Sequence, residues 1–146
     1  MRDGLTLEVL VAADYDQVRK LWAAAGLPIK PNGRDSRAQF TQQIAIGTQT
    51  ILGLRDGKRL IGVVVTTHDG RKGWINRLAI HPDYQRRGLA RQLITAAEET
   101  LRQQGMTIIA ALIEDWNKPS LALFQEAGYI VHDDIHYLTK RDSHDV

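Results

Sequence analysis

A mixed β-sheet with helices on both faces is the fold class that this sequence predicts, and three observations predict it. Asp56-Gly57, set between two β-branched runs, marks an antiparallel hairpin. From Trp74 to Ile113 a short apolar strand, an amphipathic helix and a wholly apolar strand follow one another, as in a parallel crossover. Two further helical stretches precede the hairpin, between Asp14 and Ile46. The order reads β-α-α-β-β-β-α-β-α-β-β, which is not an open doubly wound sheet.

The elements follow in order. Thr6 to Val11 reads as a strand, and Asp14 is placed to cap a helix from Tyr15 to Ala25, with Gln17 as its capping-box partner. Val18, Leu21, Trp22 and Ala25 give that helix its buried side, and Gly26-Leu27-Pro28 stops it. Lys30-Pro31-Asn32-Gly33 must be loop, a rim for a substrate, before a second helix starts at Asp35 or Ser36 and runs to about Ile46. Strands are expected over Thr50–Leu54, Leu60–Thr67 and Trp74–Ile80, with turns at Asp56-Gly57 and at residues 68–73. Met106 to Ile113 is apolar enough for a strand buried on both faces. Asn117 and Pro119 open another helix, which Gly128 ends in a left-handed cap. Tyr129–Val131 and Ile135–Leu138 read as the last strands, and Thr139 to Val146 as a frayed polar end.

Length and composition narrow the function classes. At 146 residues the chain fits one domain with a single core. Lys and Arg number 19 against 17 Asp and Glu, a net charge of +2, and apart from Arg86-Arg87 the basic residues are dispersed. Such a surface offers no stripe for nucleic acid. Cysteine is absent, which removes disulfides, thiolate metal sites and a cysteinyl acyl-enzyme together, and is compatible with a reducing cytoplasm. His132 and His136 lie in a strand or turn rather than a helix and have no third ligand, so no metal is expected. No apolar run reaches the roughly 18 residues of a membrane span.

The chemistry concentrates around residue 88. In the helix that follows, Leu89, Leu93, Ala97 and Leu101 recur every four residues, with Ala90 and Ile94 on the same side. Gln85-Arg86-Arg87-Gly88-Leu89-Ala90 put free backbone N–H groups and two cations at its N-terminus. A first helical turn lacks intrahelical acceptors and carries the positive dipole end, and Gly88 lets a phosphate approach. A phosphorylated ligand is therefore expected there.

The sequence resembles the GCN5-related N-acetyltransferases from about Leu5 to about Lys140. One motif is Q/R-x-x-G-x-G/A, met by Gln85, Gly88 and Ala90 after LAIHPDY; the other is met by Asn117, Ser120, Phe124, Gly128 and Tyr129. Within that superfamily it looks most like small bacterial enzymes of the ribosomal-protein alanine acetyltransferase type. The resemblance implies one acetyltransferase domain over residues 1–140 with a tail at 141–146, its sheet splayed between the fourth and fifth strands. It implies acetyl-CoA as cosubstrate and an amine as acceptor. Gln85, Arg86, Arg87, Gly88, Leu89, Ala90 and Arg91 would surround the CoA pyrophosphate. The backbone of Leu78, Ala79 and Ile80 would pair with the pantetheine arm, and Asn117 and Phe124 would sit near the thioester. Many relatives pair as homodimers through late strands, so a homodimer is among the expectations.

Two departures from the pattern bear on catalysis. The usual tyrosine general acid is Phe124, and the position of the alanine acetyltransferases' glutamate base falls on Leu112. The Leu78 N–H can still serve the oxyanion. Glu114 or Asp115 can serve as base, Asn76 can orient the acceptor and Tyr137 can donate a proton. The rival readings are a CoA-binding sensor or scaffold whose chemistry has decayed, and a nucleotide-binding module using the same helix end.

Overall fold

Gly57, at φ +60°, and Lys58 form the two-residue loop that joins β2 (Gln49–Asp56) to β3 (Arg59–His68) and seeds the sheet. The computed structural model describes residues 4–144. β1 (Leu5–Val9) pairs antiparallel with β2, and β4 (Gly73–Ile80) pairs antiparallel with β3. The turn into β4 is closed by the Asp69 carboxylate, which accepts the N–H groups of Arg71 and Lys72 at 2.8 Å each. These bonds hold the Asp69 carboxyl below the usual carboxylate range. After α3 (Leu89–Gln103) the chain returns parallel to β4 as β5 (Ile109–Ala111), giving a five-stranded sheet in the order β1-β2-β3-β4-β5.

Strand alternation sends side chains to two cores. On one face Leu54, Ile61, Val64 and Ile75 meet Leu93, Ile94, Ala97 and Leu101 of α3 and Phe124 of α4 (Lys118–Glu126). On the other, Ile51, Val63, Val65 and Ala79 meet Val18, Leu21 and Trp22 of α1 (Tyr15–Ala24) and Phe40 of α2 (Arg37–Ala45). The expected architecture, a mixed sheet sandwiched between helices, is the one observed. Ser36 caps α2 by accepting the Gln39 N–H, Asn117 caps α4 through Ser120, and Gly128 follows α4 at φ +97°. No helix among the described residues is long and apolar enough to cross a membrane.

Four sequence expectations are corrected. The first strand stops at Val9, because Leu10 turns into the core over Gly53 and residues 12–14 form a tight turn. Asp14 does not cap α1: its carboxylate takes the Val11 N–H at 2.8 Å and Arg55 at 2.9 Å, and Gln17 is also spent on Arg55. The run Met106–Ile113 is ladder-paired only from Ile109 to Ala111, and it is not buried on both faces, since Ile108 and Leu112 are 52% and 56% exposed at the sheet's edge. Tyr129–Val131 and Ile135–Leu138 form no strands. Among the described residues neither segment pairs with the outer edge of β5, which stays open despite their β-propensity. The irregular C-terminal segment therefore begins at Tyr129 rather than Thr139, although Tyr129 itself is held by a 2.7 Å hydrogen bond from its hydroxyl to Glu98. Burial and the Glu98 carboxylate push the Tyr129 phenol well above its ordinary pKa.

Close approach of α3 to the first residues of β4 requires a glycine. A Cβ on Gly73 would sit 2.8 Å from Leu101, a side chain that is fully buried and has nowhere to move. Gly73→Ala is expected to cost about 1–3 kcal/mol of stability by overpacking, read from the urea midpoint.

Candidate active site

The site is produced by the way β4 leaves β5. The two strands pair at Gly73–Ile75 only, with partners Ile109–Ala111, so the second half of β4 keeps one edge free. A bulge then decides which backbone groups use that edge. The register with β3 passes from Val65↔Asn76 to Val63↔Ala79, so Arg77 and Leu78 share the space opposite Val64, and Arg77 takes φ +53°. Beyond the bulge, His81 N–H donates to Ile61 of β3 at 2.8 Å. Alternation turns Ala79 the same way and leaves the N–H groups of Leu78 and Ile80 facing the gap. The carbonyl of Ile80 already accepts the Gln85 side-chain amide there, at 3.2 Å.

Above the gap the chain makes the turn that starts α3. Arg86 and Gly88 both have positive φ, +64° and +75°, and helical bonding begins only with the Gln92 N–H to the Gly88 carbonyl. The N–H groups of Leu89, Ala90 and Arg91 thus have no intrahelical acceptor. Together these parts enclose a cleft of about 410 Å³ lined by Leu78, Ile80, Tyr84, Gln85, Arg86, Gly88, Leu89, Ala90, Arg91, Pro119, Ser120 and Leu123. Two arginines and no carboxylate line it. Among the described residues, neither Arg86 nor Arg91 is ion-paired, so both guanidinium groups are available to an anion.

Eight of the sequence-derived ligand residues meet in this cleft: Leu78, Ile80, Gln85, Arg86, Gly88, Leu89, Ala90 and Arg91. Ala79 faces the α1 core instead. Arg87 turns away, stacking 5.0 Å over the Tyr84 ring and reaching the Asp83 carbonyl. The Asn117 side chain is the α4 cap, and Phe124 is a core residue set edge-on to Tyr129 at 5.0 Å. Asn76 lies on the α1 face, where its amide donates to the Thr67 hydroxyl at 3.3 Å. Glu114 and Asp115 are exposed in the turn that leads to α4 and line neither cavity. Tyr137 is 68% exposed and borders a second groove, of about 810 Å³, along the β5 edge with Trp74, Leu112 and Ile113. No group of three or more metal-binding side chains occurs among the described residues.

Sequence reasoning missed Tyr84, Pro119, Ser120 and Leu123. Ser120 stood in the second motif and Tyr84 in LAIHPDY, but nothing local says that α4 begins beside the turn at Gly88. The Tyr84 hydroxyl donates to Asp56, which pushes its pKa up and ties the turn after β4 to the β2–β3 hairpin. Chemically, the cleft can hold an anion at its mouth and an extended chain along its floor, with Leu78 N–H at the inner end.

Comparison with known proteins agrees with this geometry. The family model described as the acetyltransferase (GNAT) family matches residues 15–129. An acetyltransferase of Sodalis glossinidius is 25% identical over 88% of this chain and 89% of its own, and one of Yersinia enterocolitica is 23% identical over 90% and 92%. Among solved structures, the PaiA N-acetyltransferase of Thermoplasma acidophilum, in complex with coenzyme A, superposes with a TM-score of 0.75 at 17% identity, covering 88% of this chain and 91% of that one. A ribosomal-protein-alanine N-acetyltransferase of Brucella melitensis gives 0.73 at 16% identity, covering 94% and 99%. The motif-bearing turn, the parted strands and the match over most of the length identify the chain as a member of the acetyltransferase (GNAT) family.

Proposed function

We propose that the chain binds acetyl-CoA in the β4–α3 cleft and, in the cytoplasm, transfers its acetyl group to a primary amine by direct attack with both substrates bound. One observation carries the reading: a cationic mouth built on a helix start opens onto a free strand edge, matching the two halves of CoA. The N–H groups of residues 86–91, with Arg86 and Arg91, hold the pyrophosphate. Leu78 and Ile80 pair with the amides of the pantetheine arm as a neighbouring strand would. Asn117 and Phe124, at the start and in the core of α4, border the arm's inner end.

In the reaction the amine nitrogen forms a bond to the thioester carbonyl carbon, the oxygen becomes an oxyanion facing Leu78 N–H, and the C–S bond breaks to release the thiolate. A lysine-like amine is neutral in only about one molecule in 2,500 at pH 7, so its proton must go to a base. Glu114 or Asp115 takes it through water, Asn76 orients the acceptor, and Tyr137 supplies the proton to the departing sulfur. A thiolate with pKa near 8.5 is a fair leaving group, so Phe124 and Leu112 in place of the usual proton handlers do not stop the reaction. The acceptor is a small metabolite, a peptide N-terminus or a lysine side chain. The lack of clustered carboxylates beside the cleft argues against a polycationic one.

A panel of amines offered with acetyl-CoA, read by thiol release and product mass, tests the reading. Turnover of one class supports it, whereas CoA binding with no turnover on any amine favours the decayed sensor. Gly88→Asp places a carboxylate against the pyrophosphate site and is expected to weaken acetyl-CoA binding by roughly 100-fold with the circular dichroism unchanged. Unaltered affinity overturns the assignment of that turn.

The reading includes a second copy of the chain as partner. Ile130, Ile135, Tyr137 and Leu138 are 68–85% exposed in the segment that follows α4, the β5 edge is unpaired among the described residues, and strand pairing between two copies would cover both. Sedimentation is expected to give a dimer mass that Ile135→Asp reduces to a monomer; a wild-type monomer at all concentrations removes the partner.

A further inference from the structure

Arg77 is a cation where strand alternation alone would not place one. The bulge at φ +53° puts its side chain on the same face as Asn76, toward α1, while Leu78 turns to the cleft. There the guanidinium lies 4.3 Å over the Trp22 ring and is 21% exposed. Its Nη1 donates to the Pro28 carbonyl at 2.9 Å, and its Nη2 stands 3.2 Å from Asp35 Oδ2. That same carboxylate oxygen accepts the Lys30 N–H at 2.7 Å, and the Asp35 carbonyl accepts the Tyr15 hydroxyl at 2.6 Å. Arg77 therefore contacts both ends of the loop that joins α1 to α2, at Pro28 and at Asp35.

The arrangement has a cost that packing does not require. Burial works against the Arg77 charge, and a non-glycine residue at positive φ is disfavoured. An apolar side chain would fill the space over Trp22 but could not hydrogen-bond the Pro28 carbonyl and ion-pair with the Asp35 carboxylate at opposite ends of one loop. A planar fork can. The neighbour of this fork in sequence is Leu78, whose N–H faces the thioester in the reading above, and the loop stands on the sheet face opposite α3.

We propose that Arg77 is the positioning residue of the acceptor site: its guanidinium fixes the loop of residues 25–36 to the β4 bulge, and so sets where the amine meets the carbonyl beside Leu78. This rests on the acetyl-transfer reading. The loop is then a wall of fixed height, and the strained bulge serves two substrates at once, with Leu78 N–H turned to the donor and the Arg77 side chain to the acceptor wall.

The test measures Arg77→Met, which keeps length and apolar contact with Trp22, Arg77→Lys, which keeps charge, and Asp35→Asn. With acetyl-CoA and the best amine from the panel, Arg77→Met is expected to lower kcat/KM for the amine at least tenfold while the KM for acetyl-CoA stays within twofold. Arg77→Lys should recover part of the loss. Asp35→Asn should reproduce it, and the double variant should be no worse than either single one, since all break the same clamp. Hydrogen exchange should show lost protection at residues 28–35 in the same variants. If Arg77→Met does not fold, Arg77→Lys and Asp35→Asn give the same reading. An unchanged amine kcat/KM, or equal losses toward both substrates, overturns the proposal while leaving acetyl transfer intact. A wild-type protein that binds acetyl-CoA and turns over no amine overturns both.

Discussion

The parting of β4 from β5 is the constraint on which the site depends. Along β3 the fourth strand is paired on both sides of the bulge, from Gly73 to Asn76 and again at Ala79 and Ile80, whereas toward β5 it is paired only at Gly73–Ile75. Free strand edges in a sheet's interior leave backbone donors and acceptors without partners, which is costly unless something else supplies them. Here the Gln85 side chain satisfies one carbonyl, and the remaining groups face a cleft that the start of α3 roofs with positive charge. A ligand with an amide-bearing arm and a diphosphate completes what the sheet leaves open.

The two cores keep that gap from closing. On the α3 face, Leu93, Ile94, Ala97 and Leu101 are fully buried against β3 and β4, and Gly62 and Gly73 let the helix lie close. On the α1 face, Val18, Leu21 and Trp22 clamp the other side of the same strands. At roughly 1.5–3 kcal/mol for each large apolar side chain fully buried, these contacts resist any slide of β4 toward β5. The bulge at Arg77 is held by both: its backbone sits between β3 and the gap, and its side chain between Trp22 and Asp35.

The central strand, helix and strand were legible because their signals are local. The four-residue repeat of α3, the Gly88 start and the Asp56-Gly57 hairpin each specify structure within a few residues of themselves. What failed was decided elsewhere in the chain. Asp14 has a cap's chemistry, but Arg55, far along the sequence, claims its carboxylate. Tyr129–Val131 has a strand's composition, but composition does not decide pairing, and the segment stays out of the sheet while the Tyr129 side chain is held by Glu98. The bulge left no mark in the residues from Trp74 to Ile80, because register is a property of the β3–β4 pair, and nothing in the sequence singled out Arg77 for that reason. The cleft's motif residues were readable, whereas Pro119 and Leu123 join it only because α4 packs beside the Gly88 turn.

Amide hydrogen exchange along β4, with and without CoA, tests the central claim most directly. If the free edge is where the pantetheine arm pairs, CoA slows exchange at Leu78 and Ile80 by roughly tenfold or more and leaves Ala79, already turned to β3, unchanged. Exchange at Leu78 and Ile80 that stays the same under saturating CoA would contradict the account.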